Sequence, residues 1–86
     1  MKKHNKKLSD FKISETGIVT AVLGKGQIRR RLLDMGITND VKITLIKKAP
    51  FGDPLEVFLR GYVLTLRKSE ASLVEMKIVE EKGKNA

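Results

Sequence analysis

A chain of 86 residues has room for one small domain. It has no Cys, which excludes disulfides and thiolate metal ligands, and no Trp, so a core must be built from Leu, Ile and Val. The net charge of +8 suggests an anionic partner, but five lysines against one aspartate in residues 1–14 supply half of it.

No apolar run approaches the ~18–20 residues of a membrane span. The opening Met1-Lys2-Lys3-His4-Asn5-Lys6-Lys7 is basic with no apolar segment behind it. It does not read as a signal peptide, and a cytoplasmic location is expected. Residues 1–14 are polar and Lys-rich, with Leu8, Phe11 and Ile13 as their sizeable apolar groups after Met1. They read as a flexible tail.

Ile18-Val19-Thr20-Ala21-Val22-Leu23 is β-branched and bounded by Gly17 and Gly24, which predicts a strand. A helix follows over Gln27 to Met35. Ile28, Leu32 and Met35 share its apolar stripe, and Gly36 stands where a left-handed stop is needed. Arg30 and Asp34 form an i,i+4 pair on the opposite side. Leu33 lies off the stripe, either as an exposed contact or packed under the N-terminal segment.

Val41, Ile43 and Leu45 alternate with Lys42 and Thr44 as in a half-buried strand. Leu55, Val57 and Leu59 alternate with Glu56, Phe58 and Arg60, and after a two-residue Arg60-Gly61 turn Tyr62, Leu64 and Leu66 alternate with Val63, Thr65 and Arg67. Ser69 to Ser72 read as a short turn. Val74, Met76 and Ile78 form a last strand, and residues 80–86 read as a second flexible tail. Five short strands and one inserted helix predict a mostly-β fold, a small curled sheet or barrel over residues 15–79.

The segment Ala49 to Tyr62 stands out. Its fourteen residues hold both prolines, two of the seven glycines and three of the four aromatics. It reads as a shaped loop, residues 49–54, feeding the hairpin.

Arg31-Leu32-Leu33-Asp34-Met35-Gly36-Ile37, then Ala49-Pro50-Phe51-Gly52-Asp53-Pro54-Leu55, Arg60-Gly61-Tyr62, Leu66-Arg67-Lys68 and Glu70-Ala71, in this order and spacing, resemble the ferrous-iron transport protein A (FeoA) family. The resemblance covers residues 13–79. It implies an SH3-like β-barrel with an inserted helix, similar to the C-terminal domain of iron-dependent repressors. It also implies a small accessory protein linked to the membrane ferrous-iron permease FeoB. Asn39 and Asp40 stand where the family usually has Pro-Gly; both tolerate turn geometry.

On this reading Phe51, Asp53 and Leu55 in the loop, with Leu33 and Arg30 on the helix, are the candidate partner contacts. The residues leave two roles open for Phe51: anchor for a partner, or plug for one end of the barrel with Asp53 capping the turn. Lys2, Lys3, Lys6 and Lys7 are candidates for contact with an anionic membrane surface, against a solvated tail. Neither a cofactor nor a preformed metal site is expected, since the one His, His4, lies in the tail.

Catalysis is not expected, because no nucleophile, base and orienting group converge. Gly24-Lys25-Gly26-Gln27 lacks the Lys-Ser/Thr ending of a phosphate-binding loop. Two alternatives to an iron-uptake accessory remain. One is a nucleic-acid-binding module using Phe51, Phe58, Arg60 and Tyr62. The other is a stand-alone regulatory domain like that of the repressors; about fourteen residues before the first strand are too few for a DNA-binding helix-turn-helix.

Overall fold

The computed structural model describes residues 5–79. The strands are β1 (Asn5–Lys7), β2 (Thr16–Val22), β3 (Lys42–Lys48), β4 (Leu55–Leu59), β5 (Tyr62–Leu66) and β6 (Val74–Ile78); α1 (Gly26–Asp34) follows β2 and the single turn α2 (Lys68–Ala71) precedes β6. They form one sheet in the order β1-β6-β2-β3-β4-β5, and each neighbouring pair is antiparallel. The sheet does not close by hydrogen bonding, so β1 and β5 are its two edges.

One face is continuous core. Val19, Ile43, Leu45, Leu55, Val57, Leu59, Leu66 and Met76 are fully buried in a single cluster with Leu32 and Ile37. Alternation along each strand delivers these side chains to one face. Bulges between Val19 and Ala21 in β2 and between Leu45 and Lys47 in β3 bend the sheet around that core.

Helix α1 lies within one residue of its predicted bounds. Its end is a Schellman motif: Gly36 takes φ +96, its N–H donates to the Leu33 carbonyl, and the Ile37 N–H donates to the Leu32 carbonyl. Leu32 and Ile37, the pair that this motif brings together, are both fully buried. The predicted stripe is corrected. Leu32 carries the burial, Leu33 and Met35 pack half-buried against the core, and Ile28 is exposed. Within this nine-residue helix burial is confined to the C-terminal half, while Arg29 in the first half donates its Nε–H to the Val22 carbonyl at the end of β2.

The largest correction concerns residues 1–14, expected to be a flexible tail. Residues 1–4 lie outside the described residues, as does the predicted tail at 80–86. Residues 5–14, however, are part of the fold. β1 pairs with β6, a 3₁₀ turn follows at Leu8–Asp10, and Leu8 and Phe11 are fully buried. The strand count is therefore six rather than five. Phe11 packs onto Gly17 so closely that a Cβ there would lie 2.8 Å from its Cζ and 2.8 Å from the Lys77 carbonyl oxygen.

Three polar contacts fasten this strap. Lys6 pairs with Glu15 at 3.0 Å, the Lys12 N–H donates to Glu15 Oε1 at 2.8 Å, and the Lys6 ammonium stands 5.7 Å from the centre of the Phe11 ring. Partial burial pushes the Glu15 carboxyl up. The Lys12 amide, the Lys6 hydrogen bond and the charges of Lys6 and Lys12 outweigh it and hold the carboxyl below its usual range.

Candidate functional site

β3 ends at Lys48 and β4 begins at Leu55, and the connection between them is tied at its base. The Ala49 N–H donates to the Pro54 carbonyl at 3.0 Å, and the Gly52 N–H donates to the Ala49 carbonyl at 2.8 Å. Pro50 opens the 3₁₀ turn between them, and its ring fixes one dihedral angle in advance. Phe51 and Gly52 then both take left-handed angles, φ +73 and +79. That conformation costs a non-glycine residue on the order of 1 kcal/mol or more.

It also turns the Phe51 ring outward, where it is 98% exposed. This removes one of the two roles left open by the sequence: Phe51 is not a plug. A phenyl ring held almost wholly in water forgoes about 2 kcal/mol of burial.

Asp53 is the joint between this loop and α2. Its Oδ1 accepts the Lys68 N–H at 2.9 Å. On the same turn, Glu70 is buried and bound twice: Oε1 accepts the Arg67 N–H at 2.9 Å, and Oε2 lies 3.5 Å from Arg31 Nη1 on α1. The loop, α2 and α1 are thus linked in series. They surround a cleft of about 410 Å³ whose polar lining is Arg31, Asp53, Thr65, Arg67 and Glu70.

The five candidate contacts separate. Phe51 and Asp53 lie on the exposed loop, and Arg30 is exposed on α1. Leu33 is half-buried against the core. Leu55 is corrected. It is fully buried, because as the first residue of β4 it points to the core face with Val57 and Leu59, so it offers a partner no surface.

Arg30 and Asp34 form no ion pair here; among the described residues the pairs are Lys6–Glu15 and Arg31–Glu70. Of the lysines considered for membrane contact, Lys2 and Lys3 lie outside the described residues, Lys6 is engaged by Glu15, and Lys7 is exposed. Among the described residues no helix is long and apolar enough to cross a membrane, and no three His, Cys, Asp or Glu side chains cluster.

The aromatic and basic residues considered for nucleic acid are partly occupied. Arg60 donates to the Gly36 carbonyl and to Thr38 Oγ1, and the Tyr62 hydroxyl donates to the Met35 carbonyl. The cleft residues Arg31, Arg67 and Glu70 stand in the motifs that carry the family resemblance but are not among the candidate contacts. A Glu three residues after Arg67 at the start of a short helical turn was the available sign, since that spacing lets a carboxylate reach back to the first amide.

Comparison with known proteins places this geometry. The FeoA domain family matches residues 6–78. The FeoA-like protein of Clostridium acetobutylicum is 35% identical, with a TM-score of 0.84 over 99% of this chain and 98% of that one. The zinc complex of Stenotrophomonas maltophilia FeoA, an SH3 domain protein, is 28% identical, with a TM-score of 0.72 over 81% of this chain and 87% of that one. At 18% identity a manganese-dependent transcriptional repressor matches with a TM-score of 0.81 over 87% of this chain and 37% of that one, which is a likeness of fold alone.

Among curated proteins, a fusion of Fe(2+) transport protein A with the Fe(2+) transporter FeoB in Porphyromonas gingivalis is 29% identical over 73 residues, 85% of this chain and 9% of that protein. The chain therefore spans less than a tenth of that relative. The fold is a mostly-β, SH3-like domain whose sheet curls without closing. With the family matched over nearly the whole described chain, the protein belongs to the FeoA family.

Proposed function

We propose that this chain is an accessory protein of ferrous-iron uptake that docks on the membrane permease FeoB, on its cytoplasmic GTP-binding part or its membrane part, and modulates transport. The observation that carries the reading is Phe51. A proline-braced loop holds a large apolar side chain almost entirely in water, in a backbone conformation that costs free energy. Burial in a partner recovers the lost hydrophobic stabilisation, and the fixed loop keeps the ordering cost of binding low. The Porphyromonas fusion supports the choice of partner, since it joins an FeoA region to FeoB in one chain.

Phe51 is the anchor in this scheme, Asp53 fixes the loop that carries it, and Arg30 adds an exposed charge on α1. Co-purification from membranes tests it. A tagged chain should retain the permease, and Phe51→Ala should release it while the variant stays folded. Equal recovery with both chains would refute the role given to the loop.

A further inference from the structure

β5 is an open edge that lacks the usual protection. The two-residue turn at Arg60-Gly61 makes Leu59–Tyr62 a hydrogen-bonded pair, and alternation makes Val57–Leu64 and Leu55–Leu66 the next two. The main-chain N–H and C=O groups of Val63 and Thr65 therefore point away from β4. Among the described residues they have no main-chain partner.

Proteins ordinarily guard such an edge with charge, proline, a bulge or brevity. The opposite edge is guarded, since β1 has three residues and two of them are Lys6 and Lys7. β5 has five residues, Tyr62-Val63-Leu64-Thr65-Leu66, with no charge and no proline. Its register with β4 is unbroken, whereas β2 and β3 carry bulges. Its outer face adds apolar surface: Val63 and its cross-strand neighbour Phe58 are 55% and 44% exposed.

Charge decides what could pair there. A second copy laid antiparallel about Leu64 brings Arg60 of one chain opposite Lys68 of the other, so like charges meet at both ends of the ladder. An added strand with carboxylates at its ends meets cations instead. At one end stands Arg60. At the other the cleft presents Arg67, which has no ion pair among the described residues, and Arg31, whose side chain is 65% exposed and is bound on one side by Glu70; Asp53, the second carboxylate there, accepts the Lys68 N–H.

We infer that the β5 edge binds an extended apolar segment of a partner protein, flanked by acidic residues, as an added strand whose terminal carboxylate enters the cleft between Arg31 and Arg67. The main-chain ladder supplies affinity, and the outer-face side chains and flanking charges supply selectivity. This does not depend on the role given to Phe51.

The test uses the whole chain, ¹⁵N-labelled, and a capped probe peptide, Asp-Asp-Val-Thr-Val-Thr-Val-Asp-Asp. Bound peptide should slow hydrogen exchange at the Val63 and Thr65 amides by about 10-fold or more. Replacing its aspartates by lysines should abolish the effect. Thr65→Pro removes one outward N–H without touching the β4 ladder, and Val63→Lys charges the edge; each should weaken binding by about 10-fold or more. Arg31→Ala should weaken it by a smaller factor. Unprotected Val63 and Thr65 amides, or equal binding of the lysine peptide, would overturn the inference. Protection that grows with protein concentration in the absence of peptide would overturn it in favour of a second copy.

Discussion

Two phenylalanines divide this molecule. Phe11 lies in a segment so rich in lysine that it reads as solvated tail, yet it is fully buried. Phe51 lies in the stretch that holds both prolines and three of the four aromatics, yet it is 98% exposed. Local composition points the wrong way in both regions, because burial is set by where the chain is tied. β1 is fastened to β6, and Leu8 and Phe11 then join the buried cluster, with Phe11 against Gly17. The Phe51 loop is fastened at Ala49–Pro54 and Asp53–Lys68, and those ties leave its tip outside. A buried ring stabilises the fold, and an exposed ring on a fixed loop is available to a partner.

Four substitutions bear on that contrast. Phe11→Ala should have the largest effect on folding, about 3–5 kcal/mol, because it empties a filled site beside Gly17. Urea unfolding measures it, and a loss below about 1 kcal/mol would show the strap to be loosely held. Gly17→Ala should cost about 1–3 kcal/mol, since the new Cβ would press on Phe11 and on the Lys77 carbonyl. Combined with Phe11→Ala it should cost less than the two together, as the ring half of the clash is then gone.

Glu15→Gln should cost about 1 kcal/mol or less, because the ion pair with Lys6 is partly exposed. The sign of its pH dependence follows from the lowered carboxyl. Glu15 is more acidic folded than unfolded, so its contribution is present above the unfolded value and is lost as pH falls through the folded one. The wild-type chain should therefore lose its advantage over Glu15→Gln on acidification, in paired thermal melts at neutral and acid pH.

The smallest effect belongs to Phe51→Asn, which should raise stability by a few tenths of a kcal/mol, because Asn accepts left-handed angles with less strain. A clear destabilisation would mean that the ring contacts the fold after all.

Much of the architecture was readable because it repeats. The β3, β4 and β5 alternations and the Gly36 stop of α1 each carry a pattern longer than one residue. The helix bounds came within a residue, and Leu55 as the inward start of a strand was already implied by its alternation with Val57 and Leu59. That alternation excludes Leu55 as a surface contact, in agreement with its full burial. Leu8 and Phe11 carry no period, being isolated among polar neighbours, so only the pairing of β1 with β6 reveals them.

The exposure of Phe51 depends on two consecutive left-handed residues. Gly52 hints at that conformation, but nothing in the residue types predicts it for a phenylalanine. The cleft is built from α1, the β3–β4 loop, the end of β5 and α2, and only the fold brings Arg31, Asp53 and Glu70 together.

The contrast between the two rings comes to one paired measurement on Phe51→Ala: the melting temperature, and the affinity for purified permease in detergent or nanodiscs. An anchor that touches only the partner predicts a melting temperature within about 2 °C of wild type and affinity at least about 10-fold weaker. Unchanged affinity, or weakened affinity with a matching loss of melting temperature, would contradict it.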